Sequence, residues 1–291
     1  NIKKEAICVK NKEQEVIDMI MKLKELGYPD EKIVKDFEVK LLKLHNLKLS
    51  QFFTVNIKGT DVKAHGQVII DSEDLDYNYK FARDVKGANV RAHGQVIIDS
   101  GDLDYNCRFA KIKGADVKSH GQVMIDSGNL GYNYEFALDI KDADIRAHGQ
   151  VIIDSKNIWF NYRYALYVPK ADVEKHGQII IDSGDLDCNY KFAKDVKRAN
   201  VRAHGKVIID SGDLEYNYKF ASDVKGTDVR AHGQVIINSG SIEYNEKFKL
   251  IEGSDIDAHV AAINNTKIQE CKESLNECLD SMIKEKVKVK K

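Results

Sequence analysis

Histidine recurs in this chain at a spacing that could carry chemistry. His65, His93, His120, His148, His176, His204 and His232 stand 27 or 28 residues apart, and His259 continues the series in a worn form. Each of the seven lies in a stretch close to Ala64-His65-Gly66-Gln67-Val68-Ile69-Ile70-Asp71-Ser72. An imidazole can ligate a metal, relay a proton or sense pH near neutrality. A row of them invites three readings: a metal array, a pH sensor, or a buried polar ladder. Nitrogens sharing a zinc must each lie about 2 Å from it, whereas equivalent atoms on packed helices lie roughly 8–10 Å apart. A metal would also need a carboxylate or thiolate beside each histidine, and only Asp71 recurs, nearly two helical turns away. A pH sensor is chemically allowed, because burial disfavours the charged imidazole. The ladder is preferred because a polar partner recurs on the same period. That partner is Asn78, repeated as Asn106, Asn133, Asn161, Asn189, Asn217 and Asn245. Buried polar groups require partners, so a His–Asn or a His–backbone ladder is the natural reading.

Other motifs lead away from catalysis. Gly66 recurs in all seven full repeats, although glycine inside a helix costs roughly 1 kcal/mol relative to alanine. Close approach of a neighbouring helix explains it better than phosphate binding, since no glycine-rich loop with a following lysine and hydroxyl residue is present. The run Asp99 to Asn106 hints at a calcium loop. Counted from Asp102, however, the positions needing glycine and glutamate hold Cys107 and Lys113, so helix capping is the preferred role. There is no Gly-x-Ser-x-Gly elbow and no His-Glu-x-x-His pair. The chain is therefore read as non-catalytic, with no cofactor and no metal.

The elements that must position these residues follow from the period. Self-similarity at this length marks a stacked-repeat protein. Punctuation then divides each repeat in two. Asp61, Asn89, Asp116, Asp144, Asp172, Asn200 and Asp228 precede the first segment; Asp74, Asp102, Asn129, Asn157, Asp185, Asp213 and Ser241 precede the second. All are residues that cap helix N-termini. Gly101, Gly128, Gly184, Gly212 and Gly240 fall between the segments, where a left-handed residue ends a helix; Glu73 and Lys156 are the exceptions. Val68-Ile69-Ile70 could also read as a buried strand. The paired caps favour helices near 62–71 (helix A) and 75–86 (helix B), and so does the 100° wheel of the second segment, which gathers Leu75, Asn78, Tyr79, Ala82 and Val85 on one face. The predicted fold is all-α: an α-solenoid of about nine stacked helix pairs. Residues 1–60 form an N-terminal helical cap with a degenerate repeat, 61–254 seven full repeats, and 255–291 a C-terminal cap with a long helix and a lysine-rich tail, Lys284 to Lys291, expected to fray.

The unit Asp-Val-Arg-Ala-His-Gly-Gln-Val-Ile-Ile-Asp-Ser-Gly-Asp-Leu-Asp-Tyr-Asn-Tyr-Lys-Phe-Ala resembles HEAT-like and other α-solenoid repeats, and looks like short tandem helical repeats of low-GC bacteria and their phages. The resemblance covers roughly residues 30 to 284 and is architectural. It implies a right-handed stack acting as a binding scaffold, and it admits an inhibitor or adaptor directed at a host or defence protein. Architecture alone names no partner.

Composition narrows the partner. Charged residues make up 31% yet balance to a net charge of −1, where a general nucleic-acid binder would show a basic excess. No run of 18 apolar residues suggests a membrane span, and Asn1-Ile2-Lys3-Lys4 opens on a charged segment rather than a signal core. Five cysteines, Cys8, Cys107, Cys188, Cys271 and Cys278, are absent from most repeats; an odd, scattered set argues against a disulfide framework and fits a reducing cytoplasm. The repeats can also be compared with one another. Helix A's outer arc barely changes, but helix B's changes in the middle of the array. Asp76, Arg83 and Asp84 of the first repeat become Gly131, Leu138 and Asp139 in the third and Trp159, Leu166 and Tyr167 in the fourth, with Phe160 and Arg163 beside them. Apolar residues at solvent-facing positions mark a partner site, and tryptophan, tyrosine and arginine dominate such sites. Leu138, Trp159, Phe160, Arg163, Leu166 and Tyr167 are the expected protein-binding residues. The alternative partner is a nucleic acid tracked by a stripe of Lys80, Arg108, Arg163, Lys191, Lys219 and Lys247 with tyrosines nearby, against which Asp76, Asp104, Asp187 and Glu215 count.

Overall fold

The computed structural model describes the backbone of residues 2–289 and the side chains of residues 12–282. Eighteen α-helices follow one another, with no strand among the described residues. The chain opens with α1 (Ile2–Glu25), and the degenerate repeat is the pair α2 (Asp30–Leu42) and α3 (Leu47–Asn56). Seven full repeats follow: α4 (Val62–Asp71) with α5 (Leu75–Asp84), α6 (Val90–Ser100) with α7 (Leu103–Phe109), α8 (Val117–Ser127) with α9 (Leu130–Asp139), α10 (Ile145–Asp154) with α11 (Ile158–Tyr167), α12 (Val173–Ser183) with α13 (Leu186–Asp195), α14 (Val201–Ser211) with α15 (Leu214–Asp223), and α16 (Val229–Ser239) with α17 (Ile242–Phe248). One long helix, α18 (Ile256–Val289), closes the chain.

The caps set these boundaries. Asp61 accepts from the Ala64 amide and Asp74 from the Tyr77 amide, both at 2.9 Å. Asp102, in the run that hints at calcium, accepts from the Tyr105 amide and caps α7. Between the helices of a pair the chain turns through a left-handed residue. This is usually glycine, as at Gly101 with φ 69°, but Glu73 and Lys156 adopt φ 56° and 55° without its freedom.

Two differences from the expected array have physical causes. First, eight helix pairs are flanked by single helices, rather than nine pairs. After His259 the places of Gly240 and Ser241 are taken by Lys267 and Ile268, so neither a turn glycine nor a cap interrupts α18. Second, α7 and α17 have only seven residues. Each lacks one residue before Ile112 or Ile251, compared with Asp84 before Val85, which accounts for the 27-residue spacings. Lys284 to Lys291 lie outside the described side chains.

The chain packs as two compact units, residues 1–151 and 152–291, the boundary falling inside α10. In the first unit the N-terminal core gathers Ile20, Ile33, Leu41, Leu49, Phe53 and Ile57, and a later cluster joins Cys107 and Ala110 of α7 to Met124, Phe136 and Ile140. In the second unit Ala165 of α11 packs with Ile180, Phe192 and Val196. Such clusters run from the second helix of one repeat into both helices of the next. No repeat owns a complete core, and stacking supplies what each lacks. This is the construction of an α-solenoid.

The recurring glycine makes that stacking close. A Cβ built on Gly94 would stand 2.9 Å from Phe109 Cε1 and 3.2 Å from His120 Nε2, below ordinary contact distance. Helix propensity alone would make Gly94→Ala stabilising by roughly 1 kcal/mol. The clash reverses the sign, and urea unfolding should show a loss of about 1–3 kcal/mol. A gain in stability would contradict this role.

Candidate functional site

Each repeat presents a socket that receives the histidine of the next. His93 of α6 enters a site made by α4 and α5. Its Nδ1 lies 2.7 Å from Asn78 Oδ1, its ring lies 5.0 Å from that of Phe81, and its Nε2 faces Gly66. The Asn78 amide donates to the Ile69 and Asp74 carbonyls at 3.0 and 2.8 Å. The asparagine thus ties its own two helices together and grips the following repeat. The same 2.7 Å contact joins His120 to Asn106, His148 to Asn133, His176 to Asn161, His204 to Asn189, His232 to Asn217 and His259 to Asn245. A phenylalanine packs on each ring, save that Tyr164 takes its place against His176. His65 differs: the asparagine position before it is Ser50, and its Nε2 lies 3.5 Å from Glu38, which occupies the glycine position.

This network fixes the tautomer. The asparagine nitrogen points at two carbonyls, which can only accept, so Oδ1 is the end that meets the imidazole. Nδ1 must then carry the proton and donate it. Nε2 is left as a lone pair, and in His93, His120, His148, His176, His204 and His259 it finds no hydrogen-bond partner within the protein. A protonated ring would bury a charged N–H there with nothing to accept it. Burial accordingly holds His93, His120, His148, His176, His204 and His232 at a pKa of about 4. It also lowers His65, against the opposing pull of Glu38, and His259. The arrangement can hold neutral imidazoles in place. It offers no second ligand, and among the described residues no three histidine, cysteine or acidic side chains are placed to hold a metal ion.

The exposed residues form a different surface. On α11, Trp159 is 53% and Tyr167 54% exposed. Arg163 lies between them in sequence, its guanidinium 4.5 Å from the Trp159 ring and 5.9 Å from that of Tyr167. Phe160 meets Trp159 edge-on at 4.8 Å and is partly buried. Positions 159, 163 and 167 recur every fourth residue, so the helix aligns them in one ridge. Leu138 stands on α9 in the first unit and is 39% exposed. Leu166 does not join the ridge. It packs against the cluster of Ile180, Phe192 and Val196, because the next repeat covers that flank of the helix, which a wheel drawn for a lone helix leaves open.

The basic stripe is largely neutralised. Lys80 pairs with Asp76, Arg108 with Asp104, Lys191 with Asp187, Lys219 with Glu215 and Lys247 with Glu243, each four residues back. Three further apolar features are exposed, two of them on helices whose apolar spacing reads from the sequence as cap packing. An open groove of about 440 Å³ between α1 and α2 is lined by Met19, Leu23, Leu26, Phe37 and Leu44. Leu250 is 81% exposed at the Leu138 position. The third is the outer part of α18. Leu26 stands at a helical spacing that reads equally well as core, yet it is 75% exposed. Cys107, Cys188, Cys271 and Cys278 are free thiols, and the Cys8 side chain lies outside the described residues.

The fold and sockets define a tandem helical-repeat protein. Comparison with known proteins matches the chain to no family model, no curated protein and no solved structure. Among the described residues no helix is long and apolar enough to cross a membrane.

Two outcomes follow from the sockets. Asn189→Ala leaves the buried His204 N–H without an acceptor and should cost about 2–4 kcal/mol in denaturant unfolding; a loss below about 0.5 kcal/mol would contradict the pairing. The pH response has a definite sign. Unfolded histidines bind protons near pH 6.5, but six in the fold resist until about pH 4. Stability is therefore full above pH 6.5 and falls as pH drops toward 4, by up to about 1.4 kcal/mol per pH unit for each histidine. Helical circular dichroism should collapse steeply within that window, with a midpoint roughly between pH 5 and 6. A fold that persists at pH 4 would contradict the buried neutral ladder.

Proposed function

We propose that this protein is a non-catalytic protein-binding scaffold and that the outer ridge of α11 is the centre of its binding surface. One observation carries the reading: Trp159 and Tyr167 are half exposed on either side of Arg163, on a helix whose counterparts in other repeats carry charged pairs at the same place. Burying half-exposed aromatic rings in a partner is a strong source of affinity, and a guanidinium already stacked on an indole is ordered in advance. The partner is a protein surface offering an apolar pocket for the indole. An inhibitor or adaptor of bacterial or phage type, acting on a host or defence protein, is the narrower form of this reading and rests on the resemblance to tandem repeats of low-GC bacteria and their phages alone. A nucleic acid is less well supported, because five of the six cations that would track its backbone already face carboxylates.

The test is a comparison of retained proteins. Wild-type chain, Trp159→Ala with Tyr167→Ala, and Lys191→Ala with Lys219→Ala serve as baits in extracts of the native host. The aromatic double variant should lose the specific partner while keeping its melting curve, since both rings are exposed. Retention unchanged in that variant would overturn the assignment. Retention that vanishes in the lysine variant and falls steeply with salt would favour the nucleic-acid reading.

A further inference from the structure

The near-zero net charge conceals how charge is distributed within the first unit. Each turn from a second helix into the next first helix carries two cations five residues apart: Lys58 and Lys63, Lys86 and Arg91, Lys113 and Lys118, Lys141 and Arg146. All eight are exposed. Lys63 lines one groove with Gly87, Asn89 and Ala92, so consecutive turns lie side by side on one edge of the unit. These four turns, residues 58–63, 86–91, 113–118 and 141–146, hold eight cations against four acids. The turns at the other end of the first helices carry the opposite sign. Residues 71–76, 99–104 and 126–131 hold eight acids and no cation, and Asp71 and Glu73 share a groove with Asp99. The ten residues of α4 set the two edges about 15 Å apart, nearly twice the screening length of about 8 Å at physiological salt. A ligand on the basic edge is therefore largely screened from the acidic one.

The two edges also differ in what their charges already meet. On the acidic edge Asp71, Asp99 and Asp126 accept from Gln67, Gln95 and Gln122, Asp74 and Asp102 cap helices, and Asp76 and Asp104 pair with Lys80 and Arg108. On the basic edge Asp61, Asp116 and Asp144 are likewise occupied as caps, which leaves Asp142. Asp116 is held below the usual carboxylate range mainly by the Ser119 amide and hydroxyl, and only in smaller part by Arg91. Among the described residues none of the eight cations forms an ion pair, although Lys80, Arg108 and Lys111 nearby all do.

We propose that the basic edge of the first unit binds the phosphate backbone of double-stranded nucleic acid, a role separate from that of the α11 ridge. The counter-anions must come from another molecule, and a second copy offers little, since Glu73 is the one carboxylate of its acidic edge without a partner among the described residues. The cation pairs recur at the roughly 8–10 Å spacing of packed helices, so the outermost of the four turns lie at most about 24–30 Å apart, or about seven to nine base pairs at roughly 3.4 Å each. A stiff, evenly charged rod matches such a row. No aromatic residue stands in these turns to stack on a base, the contact on which single-strand binders rely. Val62, Val90, Val117 and Ile145 are half-buried in their own helices rather than free to enter a bilayer. Contacts to phosphates alone carry no direct sequence preference.

Fluorescence anisotropy of a labelled, mixed-sequence DNA duplex of about 20 base pairs, titrated with the full chain from about 50 to 200 mM salt, tests the edge. The duplex should bind with a micromolar dissociation constant at the low end, and log affinity should fall against log salt with a slope of about −3 or steeper. A variant carrying Lys86→Ala, Arg91→Ala, Lys113→Ala and Lys118→Ala should keep its melting curve, bind at least about tenfold more weakly at low salt, and show a slope shallower by about two to four. Lys191→Ala with Lys219→Ala, and Trp159→Ala with Tyr167→Ala, should bind the duplex like wild type, so failure of this edge and failure of the α11 ridge are read separately. The proposal is overturned if no duplex binds at the lowest salt, if the fourfold variant binds as tightly as wild type, or if the Lys191 and Lys219 variant is the one that fails. Tighter binding of a single strand of the same length, or of anionic phospholipid vesicles, would overturn it by giving the edge to another polyanion. A mass that rises as salt falls with no nucleic acid present, and that the fourfold variant abolishes, would overturn it in favour of a second copy.

Discussion

A neutral imidazole donating one proton to a carboxamide is the contact by which each repeat holds the next. The interaction works only because several residues agree. Asn78 must spend its amide on the Ile69 and Asp74 carbonyls, which aims its oxygen outward to His93. Phe81 must lie one turn on to pack against the ring. Gly66 must lack a side chain so that the ring can enter. Changing one member leaves the others buried without a partner, and an unsatisfied buried group costs more than a satisfied one contributes. This explains why all four residue types recur together. It also explains why the stack tolerates length changes: the two short repeats drop a residue beyond the phenylalanine, where the socket is already complete.

The separation of constant and variable residues organises the functional reading. Repetition inside the fold is a packing requirement and carries no information about a partner. Departures on the outer arc of helix B are not needed for stacking, since charged i,i+4 pairs occupy the same places in other repeats. Trp159, Arg163 and Tyr167 replace such a pair with a stacked cation and two rings. The outer part of α18 departs in another way: it keeps an apolar face that none of the described residues covers.

Much of the architecture was legible because its signals are local. A cap and a turn glycine act within four residues, so Asp61, Asp74 and Gly101 placed helix boundaries to within a residue or two. The histidine and asparagine periods were equally plain. Their pairing was not, because each histidine bonds the asparagine of the preceding repeat rather than the one further along its own, and that choice depends on how neighbouring helices cross. The same non-local dependence hid the burial of Leu166, which the next repeat covers. The uninterrupted α18 could have been anticipated from Lys267 and Ile268, which stand where a glycine and a cap are needed.

The central claim is the protonation state of the ladder, and nitrogen resonances of the rings report it directly. In protein labelled with ¹⁵N-histidine at neutral pH, His93, His120, His148, His176, His204, His232 and His259 should each show a protonated Nδ1 and an unprotonated Nε2. Rings protonated at Nε2, or at both nitrogens, would contradict the account.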